Sequence, residues 1–408
     1  MRICLVYQED YPWDIRVEKV ANALSNAGHE VFLVCRNESR SLRYQEQDDI
    51  KISRLPALPQ IFGRLNQMIN FPAFFNPLWL LAISRCVKRN KIDLIIVRDL
   101  PLALTAIAVG KFYKIPVLLD MAECYPELLR CLWKFGRYKF SNLFVRNPYL
   151  ADLVEQISIK NTDHIFVVVE ESKERLLAMG VGPERISIIS NTPPLNKFVP
   201  RSELHDVKGL NTDIRMIYVG LVTRTRGLDT VLEGLSYFLK DYGIPVSLTI
   251  IGTGEAEDEY KGLAKSLGIN KWVQFKGWLD NTSVPPYILS SHIGLVPHHI
   301  CGHWDHTIPN KLFDYMASGL PVLSSNTRAA SRIVQETECG LLYEDFNPKS
   351  FSSRLMELTN ESKRLELGEN GRKAILKKYN WEIESKELLK VITTFERDQM
   401  LEITGVSA

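Results

Sequence analysis

Several things are scarce in this chain, and each scarcity closes off a class of protein. Its seven cysteines form no CxxC pair and show no regular spacing. That argues against a disulfide framework or a zinc module and predicts a reducing compartment, the cytoplasm. Lys plus Arg number 50 against 48 Asp plus Glu, a net charge of +2, too small to announce a nucleic-acid partner. The longest apolar stretch, "FPAFFNPLWLLAIS" at 71–84, is interrupted by Pro72, Asn76 and Pro77. It falls short of the roughly 20 residues a spanning helix needs. The opening "MRICLVY" reads as a strand and lacks the order of a signal peptide. Neither "YQEDYPWDIR" nor "GLVTRTRG" has the G-x-G-x-x-G spacing, and "GTGEAEDEY" at 252 has only its first two glycines, so a nicotinamide cofactor is not expected. Low-complexity tracts are absent.

The 408 residues, 45% hydrophobic and 24% charged, suit two soluble globular domains. Short apolar runs recur between helix-like segments, as parallel sheets with crossover helices require. In the first half they are "RICLVY", "EVFLVC", "DLIIVR", "PVLLD", "HIFVVV" and "ISIIS". In the second they are "IRMIYVG", "VSLTIIG", "WVQFKG", "HIGLVP" and "PVLSS". Between them lies a Pro-, Asn-, Asp- and Gly-rich linker, "NTPPLNKFVPRSELHDVKGLNTD", which places the boundary near residue 200. The expected domains are 1–200 and 201–381, with an amphipathic C-terminal helix in 382–408 crossing back to the first. Ligands of such doubly wound sheets bind at the carboxyl ends of the strands.

The stretch "TIPNKLFDYMASGLPVLSS", 307–325, predicts a short helix leading into a strand. Thr307 can cap it, Pro309 suits its first turn, and Ser318-Gly319 supplies the stop. Its amino end, with Lys311, offers free N–H groups and positive charge to an anion, most naturally phosphate. The same pattern also serves an ordinary core helix that buries Leu312, Tyr315 and Met316.

Two further clusters stand out. "PHHICGHWDH", 297–306, holds His298, His299, His303 and His306 with Cys301 and Asp305. The spacing fits no standard metal framework, so no metal is expected, and the histidines read as donors lining a phosphate or sugar. The segment 128–150 mixes Arg130, Lys134, Arg137, Lys139 and Arg146 with Trp133, Phe135, Tyr138 and Phe140. Together with 71–84, it suits an anionic membrane surface better than nucleic acid.

Across nearly its whole length the chain resembles the retaining glycosyltransferases of family 4. The likeness rests on "DIRVEKVANALSNAGHEVFLV", "LLDMAECYPELL", "YVGLVTRTRGLDTVLEGL", "IIGTGEAEDEYKGLAKSLGI", "VQFKGWL" and "TIPNKLFDYMASGLPVLSS" with "CGLLYE", in that order. The resemblance implies the GT-B fold: α/β, two Rossmann-like doubly wound parallel-sheet domains facing a central cleft. It implies a nucleoside diphosphate sugar as donor substrate, a UDP-sugar first and a GDP-sugar next, with no tightly bound cofactor. Gly220, Arg224, Arg226, Gly277, Thr307, Asn310, Lys311 and Asp314 then line the donor. Arg226 and Lys311 offset leaving-group charge, and Asp314 grips the ribose. His306 stands where the family carries the first of two acidic residues, and joins Arg226 and Lys311 as a catalytic candidate. Asp14, Arg16 and Glu123 are the acceptor-side candidates.

The implied reaction is front-face transfer, with retention, of a hexose or N-acetylhexosamine to a saccharide or polyprenyl-diphosphate-linked acceptor at the inner membrane surface. A nucleotide-sugar epimerase using His306 or Glu123, and a catalytically silent saccharide-binding homologue, are the alternatives.

Overall fold

Strands such as "EVFLVC" are apolar on both faces, which only a sheet covered by helices on both sides can accommodate. The computed structural model of the chain describes residues 1–12, 14–57, 59, 70–72, 74–135, 146–197 and 213–404. It contains two separate parallel sheets. The first is formed by β1 (Arg2–Tyr7), β2 (Glu30–Cys35), β3 (Tyr44–Gln47), β4 (Ile50–Arg54), β5 (Leu94–Arg98), β6 (Val117–Met121), β7 (His164–Val167) and β8 (Ile186–Ile188). The order across it is β3-β4-β2-β1-β5-β6-β7-β8. All neighbours are parallel except the β3–β4 edge pair. Register stacks apolar side chains in rows: Leu5 lies opposite Leu33 on one side and Ile96 on the other.

Helices α1 (Ile15–Asn26), α2 (Pro77–Asn90), α3 (Ala103–Tyr113), α4 (Tyr125–Phe135), α5 (Pro148–Asn161) and α6 (Glu170–Ala178) accompany this sheet. α1 starts where Asp14 accepts the backbone N–H of Arg16 at 2.7 Å, and α2 where Asn76 accepts that of Leu78. Both are side-chain caps that satisfy otherwise orphaned donors.

The second sheet runs β11-β10-β9-β12-β13-β14 and is wholly parallel. Its strands are β9 (Ile214–Val219), β10 (Val246–Ile251), β11 (Val273–Phe275), β12 (Ile293–Val296), β13 (Val322–Ser325) and β14 (Gly340–Tyr343). Its helices are α7 (Leu228–Tyr242), α8 (Glu257–Ser266), α9 (Pro285–Leu289), α10 (Gly302–Asp305), α11 (Asn310–Ala317), α12 (Arg328–Thr337), α13 (Pro348–Glu357) and α14 (Glu361–Lys377), while the last helix, α15 (Trp381–Thr404), belongs from Glu384 onward to the first unit. Each unit has its own core. One gathers around Trp79, Val97, Leu119 and Ile165, the other around Met216, Phe238, Leu248 and Phe351.

The first unit comprises Met1–Leu129, a stretch ending at Ile189, and the chain from Glu384 onward. The second comprises Ser190–Ile383 together with a segment that begins at Arg130 on α4. The break therefore falls ten residues before the boundary expected near 200; residues 198–212 of the expected linker lie outside the described residues. On α15, Gln399 donates to the Asp93 carbonyl, and the N-terminal ammonium of Met1 lies 3.5 Å from Glu396.

Residues 77–84 of the apolar 71–84 stretch open α2, where Trp79 and Ile83 are buried in the core while Leu81 stays exposed, as does Phe75 just ahead of the helix. β3 and β4 were not anticipated, because "YQEQ" and "IKISR" alternate polar with apolar as a half-covered edge pair does. Of the basic-aromatic 128–150 segment, residues 136–145 lie outside the described residues.

Candidate functional site

In each sheet the strand order reverses once, and a crevice opens there between the carboxyl ends of two strands. In the second unit it lies between β9 and β12. The backbone leaves β9 through Gly220, whose φ of 139° lies in the region that favours glycine; a Cβ there would sit 2.9 Å from Lys311 Nζ. It then forms a single 3-10 turn, Arg224–Arg226, and enters α7 through Gly227, φ 63°. A Cβ on Gly227 would come within 1.8 Å of the Pro297 carbonyl oxygen, a group that belongs to the loop after β12. We expect Gly227→Ala to destabilise the protein by about 2 kcal/mol, combining positive-φ strain with displacement of that loop. The shift of the urea midpoint measures it.

α11 follows that loop, but it starts two residues later than a Thr307 cap implies: Pro309 occupies the capping position, and no side chain caps the helix. Thr307, the expected cap, is buried in front of it. Ser318 and Gly319 end the helix, as their types suggest. Tyr315 anchors α11, its hydroxyl accepting the Val219 N–H at 3.0 Å at the end of β9. This fixes Lys311 against the crevice, its Nζ 3.8 Å from the centre of the Tyr218 ring. Burial, then the nearby Arg226, holds the Lys311 pKa well below the ordinary lysine range.

Arg226 lies over the Trp304 ring at 4.4 Å and reaches His298 Nε2 at 2.7 Å. A guanidinium can only donate, so Nε2 accepts and the His298 proton sits on Nδ1. Burial, followed by Lys311 and Arg226, keeps this imidazole neutral. His298 Nδ1, Trp304 Nε1 and Lys311 Nζ are all buried and meet no hydrogen-bond acceptor among the described residues. All three are donors. A buried cluster of donors without acceptors calls for an electron-rich occupant.

The neighbouring His299 differs. Its two ring nitrogens contact Asp345 at 2.6 Å and Asp229 at 3.0 Å, and its ring stacks on Phe346 at 3.9 Å and Phe135 at 5.4 Å. Burial alone would lower its pKa, but the hydrogen bonds and charges of the two carboxylates outweigh it and raise the value to about 9. His299 therefore pins the loop as an imidazolium. Because the folded value lies above the unfolded one of about 6.5, this contribution is complete below about pH 6.5 and is lost as pH rises through about 9. We expect the wild type to lose on the order of 3 kcal/mol of stability over that interval, and Asp345→Asn to flatten the loss. Denaturant midpoints measured across the range test both.

The remaining donor-side candidates are dispersed around this centre. Arg224 is drawn outward to Glu259 on α8 and does not join the donor cluster. Gly277, φ 69°, offers its carbonyl to the Gly252 N–H at 2.7 Å behind the crevice. Asn310 is exposed at the first turn of α11, and Asp314 is half-buried one turn on. His306 hands Nδ1 to the Gly302 carbonyl at 2.6 Å, closing α10. Among the described residues no group of three or more His, Cys, Asp or Glu side chains is placed to hold a metal.

In the first unit the reversal lies between β1 and β5, and Asp14, Arg98, Asp99 and Asp120 meet there. Arg98 reaches Asp14 at 3.2 Å and Asp99 at 3.1 Å. Arg16 is buried, bonded to both Asp120 oxygens and to the Ile189 carbonyl. The acceptor contact expected of Arg16 is not supported by this geometry: its guanidinium ties α1, β6 and the exit of β8 together. Glu123 is half-buried, and its N–H donates to Asp99 Oδ1 at 3.2 Å. Asp99 escaped sequence reasoning, as did Trp304, Tyr218, Asp229 and Asp345. Only the folded backbone shows the Asp99 φ of 56°, and burial first, then Asp120 and Asp14 against Arg98, pushes its carboxyl up to about 6.

Residues 14–192 match the family described as glycosyl transferase 4-like domain, and residues 200–374 match glycosyl transferases group 1. This chain belongs to the family 4 type of glycosyltransferases. Its fold is GT-B, in keeping with the two doubly wound units. The chain is 24% identical over 200 residues to spore coat protein SA of Bacillus subtilis, a match spanning 47% of this chain and 52%, about half, of that relative. It is 21% identical to the Escherichia coli UDP-Gal:alpha-D-GlcNAc-diphosphoundecaprenol alpha-1,3-galactosyltransferase, across 88% of this chain and 87% of that one. Among solved structures, Anabaena Alr3699/HepE in complex with UDP superposes with a TM-score of 0.68 at 12% identity, covering 97% of this chain and 100% of its own.

Proposed function

We propose that this chain is a retaining, metal-independent hexosyltransferase. In this reading it moves a hexose or N-acetylhexosamine from a nucleoside diphosphate sugar, UDP-linked foremost, to a lipid-linked or growing surface saccharide. The observation that carries the proposal is the cluster of buried donors without acceptors at the β9–β12 crevice: Lys311 Nζ, His298 Nδ1 and Trp304 Nε1, with Arg226 alongside. A diphosphate supplies acceptor oxygens and negative charge, which neutral sugar alone does not. The amino end of α11 adds its partial positive charge. The relative named for a UDP-sugar and a diphosphoundecaprenol acceptor, and the neighbour bound to UDP, support this choice of substrates.

In the proposed mechanism Arg226 and Lys311 hold the diphosphate and offset the charge that grows on it as the sugar bond breaks. Preorganisation matters here. The ring stacked beneath Arg226 and the Tyr218 face beneath Lys311 fix both side chains before the donor arrives, so little reorganisation accompanies the reaction. The acceptor hydroxyl attacks on the face the diphosphate leaves, and a phosphate oxygen takes its proton. Neutral His298 donates from Nδ1 to donor oxygens, and Asp314 takes the ribose hydroxyls. With the charge of the leaving group carried by side chains, no metal is required by this scheme.

Thermal shifts with UDP, GDP, ADP and dTDP, on the wild type and on Arg226→Ala, test the donor assignment. Stabilisation by one nucleoside diphosphate that the substitution abolishes is the expected result. Absence of any shift overturns it.

A further inference from the structure

α5 is capped by Asn147, whose side chain accepts the N–H groups of Tyr149 and Leu150, and Pro148 opens it. Its inner face buries Ala151, Val154 and Ile159 in the core of the first unit. The outer face of such a helix is ordinarily polar. Here it carries Tyr149, Leu150, Leu153 and Ile157, which are 73%, 41%, 53% and 40% exposed. Positions 149, 153 and 157 fall one turn apart and form a continuous stripe.

α3 packs beside α5, and Lys111 Nζ donates to the Asn161 side chain, which joins the two carboxyl ends. Phe112, next in sequence, is 78% exposed, and its ring meets that of Tyr113 edge-on. Four exposed cations border this apolar strip: Lys111, Lys114, Arg146 and Lys160. Of the acids nearby, Asp163 has its carboxylate engaged by the Val117 N–H at 2.7 Å, Glu155 on α5 is buried against Arg175, and Asp152 on α5 is half-buried.

An exposed apolar strip of this size marks an interaction site. Charge decides the occupant. A second copy joined through a two-fold axis would press these cations against their own equivalents. An anionic bilayer instead takes the apolar side chains below its headgroups and the cations at the phosphate level. Among the described residues no helix is long and apolar enough to cross a membrane, so attachment would be by a face lying on the surface. We propose that the outer face of α5, with Phe112 at the end of α3, docks this protein on an anionic lipid surface. The inference rests on the reading that the acceptor is lipid-linked, and it names a surface distinct from the expected 71–84 stretch.

Co-sedimentation of the full chain with phosphatidylcholine vesicles, and with phosphatidylcholine–phosphatidylglycerol vesicles, tests it. The wild type should partition onto the anionic vesicles only. Leu153→Ser/Ile157→Ser and, separately, Lys114→Glu/Lys160→Glu should each weaken that partition by about tenfold or more, the second effect shrinking as salt is raised. All four positions are exposed, so the variants should keep the wild-type stabilisation by UDP and transfer to a water-soluble saccharide. Wild-type protein that ignores anionic vesicles, or variants that bind them as well as the wild type, overturn the proposal. So does a wild-type dimer in light scattering that Leu153→Ser/Ile157→Ser converts to monomer, which assigns the strip to a second copy. Failure of the nucleotide shift in the wild type would refute the transferase reading instead, and vesicle partition reports independently of it.

Discussion

Lys311→Met is expected to lower kcat by about 10²–10³-fold, the scale seen when one preorganised group that stabilises developing charge is removed. It should also abolish stabilisation by the nucleoside diphosphate. The ligand-free protein should become more stable. In the folded chain the Lys311 amino group is buried against Tyr218 and Arg226 and meets no acceptor among the described residues. Removing such a donor relieves about 1–3 kcal/mol of desolvation cost. Methionine keeps the length and apolar stem of lysine, so cavity formation does not obscure the effect. Steady-state kinetics and melting temperatures with and without UDP check the two signs together. A variant as active as the wild type would remove Lys311 from the mechanism. A variant that is inactive and also less stable would mean that the side chain serves packing first.

Arg16→Ala should cost about 3–5 kcal/mol, because it strands a buried carboxylate. Arg16 Nε lies 3.0 and 2.9 Å from the two Asp120 oxygens, its second terminal nitrogen 2.6 Å from one of them, and the other terminal nitrogen donates to the Ile189 carbonyl at 2.7 Å. Their side chains are 3% and 6% exposed. With Arg16 gone, the ion pair left to Asp120 is Arg98 at 4.0 Å. Burial raises the Asp120 pKa, and Arg16, then Arg98, outweighs it; the folded carboxyl therefore sits below its ordinary range. A group of that kind stabilises the fold above its unfolded pKa and loses the contribution as pH falls. The acid limb of the stability profile should accordingly weaken in the variant. Arg16→Ala/Asp120→Ala should be less unstable than the sum of the two single changes, the signature of a coupled pair. If Arg16→Ala left stability intact and raised only KM for the acceptor, the substrate-contact role would stand instead.

Much of the architecture was legible because burial on two faces writes itself into composition. Every apolar run read from the chain, from "RICLVY" to "PVLSS", coincides with a parallel strand. The strands that were missed lie at or next to sheet edges. "YQEQ" and "IKISR" carry charge on their open face, and "GLLY" at β14 is only partly covered. The start of α11 was misjudged by two residues, since Thr307 is a good capping type and Pro309 suits a first turn as well as the capping position.

The site divides along the same physical line. Arg226 and Lys311 could be named from the chain because a basic residue ahead of a glycine and a lysine on a helix's first turn are local features. Their setting is not local. Trp304 beneath Arg226, Tyr218 beneath Lys311 and the Asp229–His299–Asp345 clamp join residues 46 to 93 positions apart. Arg16 shows the converse. At the start of a helix it looked available to a substrate, and only its burial against Asp120, 104 residues away, reveals where its charge is spent.

By itself, then, the sequence determined the class of fold, the number of parallel units and the basic character of the crevice, since periodicity and residue type act through neighbours along the chain. The tertiary structure alone decided which of those charges meet partners and which donors are left without one. It also decided that α5 turns Tyr149, Leu153 and Ile157 outward rather than into the core. Hydrophobic residues at helical spacing mark a face, but which way that face points depends on what packs against the helix, and that is a property of residues far apart in the chain.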